Sequence, residues 1–129
     1  MRLLLDTHVA IWALTQPELL SGEIQQLLED SSNEVFVSAV SVLEIAIKFK
    51  LKKRNAPPFS GTEAIDYFER ADFALLAVSA QHAAGVDHLP LLHADPFDRL
   101  LVAQALSEPM RLVSRDPLVV AYSDTVITW

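Results

Sequence analysis

The sequence predicts an α/β domain in three layers, with a central, mostly parallel sheet flanked by helices. Three observations carry that prediction. Short apolar runs of strand length alternate along the chain with segments of helical pattern. These runs lack the strict polar–apolar alternation of a half-solvated sheet, so both faces are expected to be covered. And 129 residues with 51% hydrophobic and 21% charged side chains supply one core and exclude a disordered chain. A single domain over residues 1–129 is expected.

Arg2 to Leu5 is the first strand, short and apolar. Val9 to Leu14 is a short helix, and Glu23 to Asp30 a second, entered by Ser21. Glu34 to Val37 is the second strand, and Ser41 to Lys53 a helix. Arg54 to Gly61, with Pro57 and Pro58, is a loop. Thr62 to Ala71 is a helix with Thr62 as its N-cap. Phe73 to Val78 is a continuous apolar strand, and Ala80 to Val86 a helix capped by Ser79. Pro96 to Ser107 is a helix with Pro in its first turn. Arg111 to Ser114 is a strand, Pro117 to Tyr122 a short helix, and Thr125 to Trp129 a last edge strand.

Composition excludes several functions. With no cysteine, disulfide frameworks, cysteine zinc sites and thiol catalysis are absent. A net charge of −7 excludes a binder whose whole surface is basic. Apolar runs such as Val9 to Leu14 fall far short of the roughly 20 residues of a membrane span. One arginine and three leucines before Asp6 do not make a signal peptide, so a cytoplasmic protein is expected.

In parallel α/β sheets, ligand sites gather at the carboxyl ends of the strands. Asp6 follows the first strand, and Asp116 follows the strand ending at Ser114. Either could be an ordinary helix cap. Glu44 shares a helical face with Val40, Leu43, Ile47 and Leu51, where a carboxylate is costly without a partner charge or metal. Asp98 shares a face with Leu101, Val102 and Ala105, and it also lies in a first turn that favours acids. Asp95, before Pro96, is the better N-cap of that helix. Converging acids repel one another and raise each other's pKa. A hard divalent cation, Mg²⁺ or Mn²⁺, offsets them, and such an ion works on phosphate esters.

Four segments follow one another along the chain: Leu4-Leu5-Asp6-Thr7-His8, Ser41-Val42-Leu43-Glu44-Ile45, the run from Asp95 to Ala105, and Ser114-Arg115-Asp116. In this order they resemble the PIN-domain family, in particular the VapC-type toxins of toxin–antitoxin pairs. The resemblance implies a PIN fold and a Mg²⁺- or Mn²⁺-dependent endoribonuclease held inactive by a cognate antitoxin. It also implies a homodimer. Carried over by position, Asp6, Glu44, Asp98 and Asp116 form the acidic, metal-holding quartet, with Asp6 and Asp98 the firmest ligands. Thr7, Asp95 and Ser114 would support them from behind.

Five of the ten Lys and Arg residues, Lys48, Lys50, Lys52, Lys53 and Arg54, lie at the end of the Glu44 helix. They read as a phosphate-contacting patch, although cations at a helix C-terminus are also favoured by its dipole. Arg99 and Arg115 adjoin two of the acids and would hold phosphate or the quartet itself. His93 reads as a loop histidine, with substrate contact or leaving-group protonation as its alternative; His8 reads as packing or support, and His82 takes no function. Of the apolar residues between Val9 and Leu28, most are expected in the core, and some would line a groove for an antitoxin helix.

Two other classes compete with the nuclease. A Mg²⁺-dependent phosphatase also starts from an Asp after the first strand, but a second Asp two residues on is replaced here by His8. A phospho-acceptor domain needs an acidic pair after that strand and a Lys near the last strand, and both are missing. A non-catalytic interaction module would leave two carboxylates on apolar helix faces without a use.

Overall fold

The structure, a computed structural model, describes residues 1–129. Four strands form one sheet: β1 (Arg2–Leu5), β2 (Glu34–Ser38), β3 (Ala74–Leu76) and β4 (Arg111–Val113). Their spatial order is β3-β2-β1-β4, and every pairing is parallel. Seven helices connect them: α1 (Thr7–Thr15), α2 (Gly22–Glu29), α3 (Ala39–Leu51), α4 (Gly61–Arg70), α5 (Ala80–Ala84), α6 (Pro96–Ser107) and α7 (Pro117–Val120). No helix is long and apolar enough to cross a membrane.

Successive strand residues point to opposite faces, and each face has its own core. Leu3, Leu5, Val35 and Val37 pack with Val9 and Ala10 of α1, Ile24 of α2, and Ala64 and Phe68 of α4. Leu4 and Leu112 pack on the other side with Leu101, Val102 and Ala105 of α6 and Val119 of α7. Helix α3 serves both cores, through Ile45 and Val40. This is the expected three-layer arrangement. The chain moves outward from β1 to β2 and β3, then returns to place β4 on the other side of β1. The switch point therefore lies between β1 and β4, where doubly wound sheets open a crevice.

Several boundaries differ from the sequence reading for local reasons. Helix α1 starts at Thr7 because the Asp6 carboxylate accepts the His8 N–H at 2.8 Å. Helix α4 is capped by Ser60, not Thr62; the Ser60 hydroxyl and the Glu63 carboxylate close a reciprocal box. The run Phe73 to Val78 pairs only over Ala74–Leu76, because β3 is an edge with one neighbour and Leu75 and Val78 are exposed. The expected edge strand over Thr125 to Trp129 reduces to a single bridge, Ile127 beside Val113. The proposed apolar face of α3 is also corrected. Val40 is buried, but Leu43, Ile47 and Leu51 are 51%, 41% and 56% exposed, while Glu44 turns inward with Ser41 and Ile45.

Helix α3 ends at Lys52, whose φ of 51° is left-handed and reverses the chain. The loop then leads into α4, which packs closely on α3. A Cβ at Gly61 would stand 2.9 Å from the Ala46 Cβ and 3.4 Å from the Val42 carbonyl oxygen. Gly61 thus fixes how near α4 approaches the helix that carries Glu44. Gly61→Ala is expected to destabilise the protein by about 1–3 kcal/mol through overpacking. Ala46→Gly in the same chain should recover part of that loss. Equal denaturation midpoints for Gly61→Ala and the native chain would refute this account of the contact.

Candidate metal centre at the sheet switch point

Asp6 leaves the end of β1, and Ser114 leaves the end of β4 beside it. The Ser114 hydroxyl donates to Asp6 Oδ2 at 2.6 Å and accepts the Asp116 N–H at 3.1 Å. One side chain therefore ties both strand ends together across the switch point. Asp116 also caps α7, accepting the Leu118 N–H at 2.9 Å. Thr7 and Ser41 hydroxyls meet at 2.8 Å in the interior and pin the start of α1 to α3.

Glu44 is 3% exposed, as is Asp6. Its Oε2 pairs with the Lys48 ammonium at 2.5 Å, one turn on. Glu44 Oε1 is buried with no hydrogen-bond partner. A buried carboxylate oxygen left unpaired costs free energy unless a cation or donor reaches it.

Helix α6 brings Asp98. Asp95 caps that helix, accepting the Phe97 N–H at 2.8 Å and the Asp98 N–H at 3.4 Å, so its carboxylate is committed to the backbone. Asp98 accepts instead from His93 Nε2 at 2.8 Å, and the same nitrogen lies 3.5 Å from Asp116 Oδ2. His93, Asp98 and Asp116 thus offer ligand atoms within 4.8 Å of one another. His93 is held in place by its own N–H, which donates to the Tyr122 hydroxyl at 3.0 Å. Nothing in the periodicity ties this loop histidine to Asp98. The one available signal was a histidine in the short approach to a helix whose first turn carries an acid.

The electrostatics agree with the crowding. The Asp6 carboxyl is raised above its ordinary value, first by burial; hydrogen bonds from Ser114 and the His8 N–H and the His8 charge oppose this, and the Glu44 charge adds to it. Asp98 is pushed up to about 6, chiefly by burial, then by the charges of Asp6 and Asp95; the His93 hydrogen bond opposes the shift, and Glu44 adds a further increment. The charges of Asp6 and Glu44 thus reach Asp98, whereas the ligand atoms gathered within 4.8 Å of one another are those of His93, Asp98 and Asp116.

Other predicted residues have definite places. Lys50, in the last turn of α3, and Lys52, Lys53 and Arg54 after it are exposed, whereas Lys48 turns to Glu44. Arg99 donates to the carbonyls of Val86 at 3.2 Å and His93 at 3.5 Å, so it braces the His93 loop. Arg115 lies over the Trp129 ring at 5.2 Å. His8 is solvent-facing beside Asp6. His82 is buried, with Nδ1 accepting the Ser79 N–H and Nε2 facing Glu108.

A parallel α/β sheet with carboxylates gathered at the switch point defines the class, and the family comparison agrees. The PIN domain family model matches residues 3–121, and the chain belongs to the PIN-domain family. Ribonuclease VapC22 of Mycobacterium tuberculosis is 31% identical over 115 residues, which is 88% of this chain and 85% of that protein. Among solved structures, VapBC2 from Rickettsia felis bound to a promoter DNA fragment aligns with a TM-score of 0.71 at 16% identity, covering 100% of this chain and 98% of that one. DNA-bound VapBC from Salmonella typhimurium aligns with a TM-score of 0.66 at 14% identity, covering 100% and 97%. FitAcB from Neisseria gonorrhoeae aligns with a TM-score of 0.63 at 19% identity, covering 98% and 96%. At these identities the structural likeness establishes the fold.

The raised Asp98 carboxyl has a thermodynamic consequence. Between its ordinary value of 3.8 and about 6, the folded state binds a proton that the unfolded state releases. The charge penalty is therefore complete above about pH 6 and fades as pH falls towards 4. In EDTA, Asp98→Asn should melt higher than the native chain at pH 7.5, and the gap should narrow progressively towards pH 4.5. A gap independent of pH would contradict the burial and repulsion described here.

Proposed function

We propose that this protein is a metal-dependent endoribonuclease and the toxin of a toxin–antitoxin pair. The observation that carries the reading is the buried, unpaired Glu44 Oε1 beside a switch point where Asp98 and Asp116 bring their carboxylates together around His93. Such a site is poor at standing alone and well suited to a cation. The donor set is carboxylate oxygen, which suits Mg²⁺ or Mn²⁺. Asp6, Glu44 and Asp98 would hold the ion, with Asp116 at the more exposed margin. When bound, the ion supplies electrostatic stabilisation of the phosphoryl group and an activated water.

The protein's own residues do the rest. Ser114 and the His8 N–H orient Asp6, and His93 orients Asp98 through Nε2. Asp95 holds the first turn of α6, which fixes the height of Asp98. Lys48, Lys50, Lys52, Lys53 and Arg54 provide positive charge for an RNA backbone next to the Glu44 helix. The similarity to a protein named Ribonuclease VapC22 supports the substrate class. The toxin–antitoxin role is supported by the VapBC solved structures that share the fold. A cytoplasmic location and a homodimer belong to the same reading; the exposed Leu43, Ile47 and Leu51 stripe of α3 is apolar surface available to a second copy.

Purified protein without a partner should cut RNA with Mg²⁺ or Mn²⁺ and stop cutting in EDTA. Asp6→Asn should lower the rate by about a hundredfold or more, since a catalytic metal supplies several kcal/mol. The same variant should lose the rise in melting temperature that Mn²⁺ gives the native chain. Full activity in Asp6→Asn would sink the proposal.

A further inference from the structure

A cleft of about 480 Å³ opens from the buried Glu44 and Thr7 along α1, lined by His8, Ile11, Trp12 and, from the α3–α4 loop, Pro57 and Pro58. That is large enough for a nucleotide-sized ligand. The Trp12 ring stands 6.1 Å from the His8 ring, and its other neighbour is the edge of Trp129 at 6.4 Å. Trp12 is half-buried, so its position is set by the core while part of it remains in the cleft. A second hollow of about 240 Å³ continues from the first; both are lined by His8, Lys48, Asn55 and Ala56, and the second adds Lys53 and Arg54.

We propose that these two hollows form a nucleotide subsite, in which a single-stranded base stacks on Trp12 and His8 and the adjoining phosphates run over Lys53 and Arg54. The inference rests on the ribonuclease reading and names how that enzyme grips its substrate. Two features on one path favour it. Aromatic faces bind unstacked bases without regard to sequence, and cations track the backbone. The path also starts at Glu44, so a base held at Trp12 places its neighbouring phosphodiester towards the acidic centre. Lys48 is already paired with Glu44, so the charge that favours a phosphate over a basic peptide is that of Lys53 and Arg54 at the second hollow.

The test uses the full-length protein in EDTA with a short single-stranded RNA carrying 5-iodouridine. Irradiation should give adducts that map to Trp12 or His8. Trp12→Ala should weaken RNA binding by between about fivefold and a hundredfold, the range of one base–aromatic stack. Trp12→Phe should bind nearly as the native chain does, and exposed Lys53→Glu with Arg54→Glu should weaken binding without unfolding the protein. Adducts confined outside the cleft, or native affinity in the charge-reversed protein, would overturn the subsite while metal-dependent cutting by the native chain kept the nuclease reading. Loss of binding to an antitoxin with RNA affinity intact in Trp12→Ala would assign the cleft to a protein arm instead. A native chain that neither binds nor cuts RNA would remove the nuclease reading and the subsite together.

Discussion

Carboxylates held close together away from water repel, and everything around the switch point is arranged to contain that repulsion. The sheet order puts β1 between β2 and β4, so the residues after β1 and β4 must share a crevice. Asp6 and Asp116 are those residues, and α3 and α6 add Glu44 and Asp98. The molecule lowers the cost of each acid by a different device. Asp6 and Asp116 cap helices, and Asp98 lies in a first turn, where free N–H groups and the helix dipole favour negative charge. Glu44 sits too far along α3 for that, and it takes the Lys48 ammonium instead. One oxygen of Glu44 remains without any device. The proposed cation would supply the partner that this oxygen lacks.

Holding such a centre still requires buried polar groups with fixed partners, and hydroxyls supply them. Ser114 joins the ends of two strands through Asp6 and the Asp116 backbone. Thr7 and Ser41 join two helices. On the far side of the sheet, the Ser38 hydroxyl caps α3 and donates to Gln104 Oε1 at 2.6 Å. The Gln104 amide in turn reaches the Ala77 carbonyl and His82, each at 3.3 Å. Helix α6 is therefore keyed to the sheet edge by hydrogen bonds as well as by Leu101 and Val102 packing. A sliding helix would leave these buried groups unpaired, at roughly 1–3 kcal/mol each, so Asp98 is delivered to one height.

Much of this was legible in the sequence where local rules decide. An acid directly after an apolar strand, a Pro inside a helix start, and a serine before a helical run each have a short-range cause, and Asp6, Pro96 and Ser21 behaved accordingly. Glu44 is buried, as its pattern suggests, but on a different surface from the one the pattern names. A carboxylate on an apolar face does signal a special environment, yet Leu43, Ile47 and Leu51 are exposed, and burial comes from α3 lying against two cores at once. The contacts of His93 with Asp98 and Tyr122 are not legible, because they are set by where a loop lies relative to α6 and α7, which no spacing along the chain encodes. The last strand is shorter than the sequence suggests for a similar reason. An apolar tail reads as a strand, but pairing needs a straight edge, and Ile127 meets β4 at one position before the chain turns towards Trp129 and α1.

A chain of net charge −7 proposed to act on a polyanion must solve its attraction locally. At physiological salt, charges beyond about 8 Å are largely screened, so the distribution near the cleft matters more than the sum. Half of the positive residues occupy Lys48 to Arg54, and the left-handed turn at Lys52 folds that run back beside the mouth of the cleft instead of letting it continue along the helix axis. Lys48 belongs to both sets. Its ammonium offsets Glu44 inside, and its stem lines the path on which Lys53 and Arg54 lie. The acids that give the chain its overall sign and the cations that would draw in RNA are thus joined at one residue, one helical turn from the buried carboxylate that most needs a partner.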